Sequence, residues 1–150
     1  MNSPRVTFHD STRADQLALL CRYASNAVER RLTMLITVRD AREASEIDSL
    51  LWTWAPDTFV PHAIWRPGDP GFEDSPVLIA EASLVEGLTG HVVLQLAPVN
   101  IPVASGFANV VDFVDRASEM TLAAGRQRYG AWRKLGVGPD YRKQEQERPG

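Results

Sequence analysis

Residues 126–134 read Arg-Gln-Arg-Tyr-Gly-Ala-Trp-Arg-Lys, with four cations and no acid. At steps of four, three and four, Leu122, Arg126, Tyr129 and Arg133 fall on one helical stripe, with Arg128 and Lys134 close by. Such residues recognise rather than make or break bonds. A guanidinium grips a carboxylate or phosphate through paired hydrogen bonds, and an adjacent aromatic ring can wall an apolar pocket. Arginine and aromatic residues together are also enriched at binding hot spots. The pattern suits an acidic, apolar-tipped peptide or a phosphate backbone. The plainer alternative is a solvated helix end, because cations favour helix C-termini.

A second constellation is Trp52, Trp54, Phe59 and Trp65, which holds three of the four tryptophans beside a proline-rich stretch. Trp54 fits the core stripe of a helix, whereas Trp52 falls off it. Exposed aromatic clusters mark partner sites, and packing under the loop is the alternative. Catalytic signals are weak. His9 and Asp10 could form an acid/base pair at a strand end, but turn and capping roles explain both. His9, His62 and His91 have no metal-ligand spacing. Cys21 sits on an apolar helix stripe and reads as a small buried hydrophobe. GxSxG, GxGxxG and GxxxxGK[ST] are all absent, and no lysine precedes Lys134, so nucleotide hydrolysis is not expected. No metal and no cofactor are expected.

The elements that carry these residues alternate. Val6–Phe8 reads as a strand, and Ser11 or Thr12 caps a helix over 13–31 with Leu17, Leu20/Cys21, Ala24 and Ala27/Val28 on one face. Leu32–Val38 is a strand buried on both faces. Asp40 caps a second helix whose stripe is Ala44, Ile47, Leu51 and Trp54. Residues 55–76 hold five of the ten prolines, with Thr58–Val60 as the one candidate strand. Strands follow at 77–80, 91–97 and 109–114. A last helix spans 119–135, with a predicted core stripe of Met120, Ala123/Ala124, Gln127, Ala131 and Leu135, and stops at Gly136 and Gly138. Strand–helix alternation predicts βαβ units on a mostly parallel sheet.

A chain of 150 residues fits one domain, here 1–138, followed by a polar, flexible tail over 139–150. Hydrophobic residues at 44% and charged residues at 23% are ordinary for a globular protein. No apolar run suggests a membrane span, no secretory leader is read behind Met1–Arg5, and a cytoplasmic protein is expected. Net charge is −3 but unevenly spread: residues 1–115 carry eight arginines against fifteen acids, and residues 116–150 carry eight cations against four acids. That asymmetry marks a basic surface near the C-terminus.

Two groups of residues resemble the chi subunit family of bacterial DNA polymerase III holoenzyme. One is Ile47–Trp52 followed by Thr58-Phe59-Val60-Pro61-His62. The other is Val110–Val114 followed by Arg126–Arg133. The likeness spans about residues 4–137. It implies a non-catalytic, single Rossmann-like α/β domain with helices on both faces of the sheet. It also implies that the protein links the clamp loader to single-stranded DNA-binding protein by gripping that protein's acidic, Phe-terminated C-terminal tail. Arg126 and Tyr129 match the family's tail-binding arginine and tyrosine, and Val114 matches an apolar wall, with Arg128 and Arg133 as supporting cations. Trp52 and Phe59 match the surface for the psi subunit of the clamp loader or, in some bacteria, a repair helicase. Gly130 and Leu122 stand where related chains can carry lysine. Direct nucleic-acid binding by the basic helix is the rival reading, and any such binding is expected to be weak and without sequence preference, since the rest of the chain is acidic.

Overall fold

In a computed structural model, residues 3–54 and 59–143 are described. The order is β1 (Arg5–Ser11), α1 (Arg13–Glu29), β2 (Met34–Val38), α2 (Ala41–Thr53), β3 (His62–Ile64), β4 (Val77–Glu81), β5 (Gly90–Gln95), α3 (Ile101–Ala104), β6 (Phe107–Asp115), α4 (Glu119–Lys134) and β7 (Asp140–Lys143). The strands make one seven-stranded sheet, β3-β4-β2-β5-β6-β1-β7, and every pairing is parallel.

Local signals explain the helix starts. Thr12 and Asp15 form a reciprocal capping box on α1, Asp40 accepts from the Glu43 amide at α2, and Ser118 pairs with Thr121 at α4. The helices cover both faces of the sheet. Leu20, Ala24 and Ala27 of α1 and Ile47 and Leu51 of α2 pack on Met34, Ile36, Ile79 and Leu94. On the opposite face, Trp132 of α4 and Ala104 of α3 pack with Phe8, Leu35, Val93, Val110 and Val114. Successive residues of a strand serve opposite faces, so β2 is buried throughout. Cys21 lies in the first core, and burial pushes its thiol up to about 11.

Several sequence expectations are corrected. The stripe of α4 that faces the sheet is Leu122, Gly125, Tyr129 and Trp132, not the one starting at Met120, which is 83% exposed. The predicted stripe omits Gly125, where α4 lies against β6. A Cβ on Gly125 would lie 3.0 Å from Val114 Cα. The short strand falls at His62–Ile64, after Pro61 rather than before it; Val60 is buried as coil, and Thr58 lies outside the described residues. Trp54, expected on the core stripe of α2, is its C-cap: its amide still donates to the Leu50 carbonyl, but 37% of its surface is exposed. Residues 140–143, read as flexible tail, instead pair with Thr7–Asp10 as an edge strand. The parallel register with β1 supplies backbone partners that a polar segment lacks by itself. Residues 144–150 lie outside the described residues.

Candidate functional site

Strand alternation separates two residues that adjoin in sequence. His9 faces α1, with Nε2 2.9 Å from the Tyr23 hydroxyl. Burial, then Arg142 and Arg22, lower its pKa to about 4. Asp10 faces the other side of the sheet, where it accepts hydrogen bonds from Tyr141 Oη and Arg116 Nε. Burial pushes its carboxyl up, but those two bonds together with the Arg116 and Lys143 charges outweigh it and hold it below the usual range. The two therefore form no acid/base pair, which corrects the enzymatic alternative at that position. A pocket of about 170 Å³ at the C-terminal ends of β5 and β6 has Leu96, Pro98 and Phe113 in its lining beside Gln16, Gln95, Asp112 and Arg128. Gln95 and Arg128 both donate to Asp112.

Beside Asp10, α4 and β7 build a cationic aromatic edge. The Tyr129 ring packs edge-on against Phe8 at 5.4 Å and against Tyr141 at 6.0 Å between centroids. Its hydroxyl donates to the Pro139 carbonyl at 3.4 Å. Tyr141 is 40% exposed. Its phenol is raised to about 12 by burial and by its bond to Asp10, a shift that the nearby Arg126 charge opposes. Arg126 and Arg133 are exposed, and neither has a carboxylate partner among the described residues. Tyr141 and Lys143 thus join the edge, and sequence reasoning missed both. The available signal was the lone aromatic in an otherwise polar C-terminal run.

Two of the expected site residues have other work. Arg128 donates to both oxygens of Asp112, at 2.8 and 3.2 Å, and to the Phe113 carbonyl at 3.1 Å. Asp112 is fully buried. Burial pushes its pKa up and the Arg128 guanidinium opposes that shift. Arg128 is therefore a clamp between α4 and β6, not a free cation. Val114 is wholly covered, because α4 crosses it at Gly125. It cannot form an exposed wall and instead supports the helix from below. Leu122 packs into the second core, while a Cβ on Gly130 would point into open space.

On the far side of the molecule, Trp52 and Phe59 are 57% and 63% exposed, with ring centroids 5.7 Å apart. His62 completes the cluster 4.9 Å from Trp52. Its Nδ1 donates to Val60 O at 2.7 Å, and its Nε2 lies 3.1 Å from Asp48 Oδ1. Trp65, by contrast, is buried and donates to the Asp69 carbonyl. The helix-stripe argument for Trp52 and the loop-packing alternative are thereby separated: Trp52 is the surface residue and Trp65 the covered one.

The fold and these two surfaces define an α/β domain of the open, fully parallel type. Solved structures of similar architecture include a DEAD box protein from Methanococcus jannaschii (TM-score 0.62, 14% identity, 95% of this chain and 42% of that one). The DEAD-box helicase domain 2 of Mss116p (0.66, 14%, 97% and 65%) and the C-terminal domain of Dbp5 (0.57, 15%, 94% and 89%) share it too. At such identities the likeness is one of fold alone, and the chain spans less than two thirds of the first two. Residues 3–140 match the family described as DNA polymerase III chi subunit, HolC, and the chain is 30% identical over 118 residues to DNA polymerase III subunit chi of Escherichia coli strain K12, covering 79% of this chain and 78% of that one. The chain belongs to the DNA polymerase III chi subunit family, whose members are replication accessory subunits rather than catalysts. Among the described residues, no helix is long and apolar enough to cross a membrane.

Proposed function

We propose that the α4–β7 edge captures the acidic, apolar-tipped C-terminal tail of single-stranded DNA-binding protein, and so ties a cytoplasmic polymerase III clamp loader to coated template. One observation carries this reading: the exposed Arg126 guanidinium stands beside the Tyr129–Tyr141 edge-to-face pair, with no carboxylate partner among the described residues. A carboxylate-rich peptide supplies the missing partner, and its apolar end gains ring surface. The short tail pays ordering entropy on binding, so affinity of about −8 kcal/mol, in the micromolar range, is expected. Arg133 adds longer-range attraction, while Arg128 contributes by holding α4 in place. Fluorescence anisotropy with a labelled peptide copying the tail tests this. Salt-sensitive micromolar binding is expected, and an absence of binding at low salt overturns the reading.

A second surface has its own support. The Trp52–Phe59 pair is large, apolar and exposed, far from α4. It suits an apolar segment of a second protein, the psi subunit of the clamp loader or, in its absence, a repair helicase. Trp52→Ala is expected to abolish that contact and leave tail binding intact. Loss of tail binding in the same variant would refute the separation of the two sites.

A further inference from the structure

A cleft of about 500 Å³ opens between the end of α1 and the sheet, on the face opposite α4. Its lining joins Arg5 from β1, Arg30 from the C-cap of α1 and Arg142 from β7 with Thr7, Asn26 and Asn109. Among the described residues, no carboxylate lines it. Asp140 shares the strand and the sheet face of Arg142 but is not part of the lining. None of the three arginines has an ion-pair partner among the described residues. Three segments remote in sequence thus bring three arginines to the lining of one cleft in a chain whose net charge is −3. Arg142 and Arg22 also help to hold the adjoining His9 neutral, which places positive potential at this end of the sheet.

We propose that this cleft binds the phosphate groups of a nucleotide or of a single-stranded nucleic acid. Two features select phosphate over a peptide carboxylate, and a third leaves room for an apolar group beside it. Arg142 lies in register with His9, so Arg5 and Arg142 stand about 13 Å apart along the sheet. That span accommodates more than one phosphate. The Asn26 amide, the second N–H of Asn109 (its first donates to the His91 carbonyl) and the Thr7 hydroxyl add neutral donors, and a phosphate offers more acceptor oxygens than a carboxylate. Tyr23, Leu32 and Val92 form one apolar side of a cavity whose volume falls in the range for small-molecule ligands. Because β7 turns Tyr141 toward α4 and Arg142 toward this cleft, the two faces can be occupied together.

The test uses the full chain and a fluorescein-labelled oligothymidylate at about 50 and about 200 mM salt, with ADP as competitor. Binding is expected to weaken about tenfold in Arg30→Glu and in Arg142→Glu and to fall with salt. Arg66→Glu, an equal charge change near the opposite edge of the sheet, is expected to leave it unchanged. Displacement of the oligonucleotide by ADP assigns the site to free nucleotides, whereas direct binding without displacement assigns it to a polynucleotide backbone. Failure of both the oligonucleotide and ADP to bind overturns the proposal. So does binding that Arg30→Glu and Arg66→Glu alter equally. Thermal melting of each variant confirms that a loss is not unfolding.

Discussion

Arg126 and Arg128 are two residues apart on one helix, yet their surroundings assign them different work. Arg126 reaches solvent beside two tyrosines, and Arg128 neutralises a buried carboxylate. Arg126→Ala is expected to weaken tail-peptide binding by roughly 1.5–3 kcal/mol with no change in melting temperature, the scale of a hydrogen bond to a charged group. Arg128→Ala leaves Asp112 buried and unpaired, which is expected to cost about 3–5 kcal/mol of stability. Anisotropy and denaturant unfolding on both variants separate the roles, and a stable Arg128→Ala would overturn the clamp. A second residue-scale expectation concerns pH. Folded His9 titrates near 4, below its ordinary 6.5, so the unfolded chain takes up this proton first as pH falls. The stability it contributes is full above about 6.5 and lost between there and about 4. The urea midpoint should drop between pH 7 and 5, and the drop should shrink in His9→Gln.

At the scale of elements, α4 carries two glycines with opposite constraints. Gly125 lets the helix touch β6, and Gly130 faces open space. Gly125→Val is expected to push the helix off the sheet at a cost of about 1–3 kcal/mol. Gly130→Lys should instead stabilise the helix by up to about 1 kcal/mol. It should also tighten the tail peptide severalfold by adding a cation beside Tyr129, and peptide titration of both variants checks this. Helix periodicity located α4 but not its inward face, because apolar counting overlooks a residue whose value lies in having no side chain. The same limit hid β7: its polar sequence has no strand pattern, and only pairing with β1 makes it one. By contrast, the capping signals at Thr12, Asp40 and Ser118 and the continuous apolar run of β2 are local and were legible. Arg126 and Tyr129 were legible through family motifs and charge, whereas the Arg128–Asp112 pairing needed the approach of two distant segments.

Across the whole molecule, the basic C-terminal segment builds only one of three distinct surfaces: Arg5 and Arg30 of the arginine cleft come from the net-acidic first 115 residues. The α4–β7 edge, the arginine cleft and the Trp52–Phe59 patch lie on different parts of one domain. An adaptor built this way gains by effective concentration: each contact can be weak if another holds the chain nearby. The surfaces are not equally rigid. β7 ends the sheet, bonded to β1 alone, over four residues. Such a margin is among the first parts of a fold to open. The amides of residues 140–143 should accordingly trade their hydrogens for deuterium sooner than those of β2 at the centre of the sheet. An occupant that leans on Tyr141 from one side or on Arg142 from the other must slow that trade. One short strand thereby serves as a common gauge, read by mass spectrometry, of whether either side of the molecule is engaged.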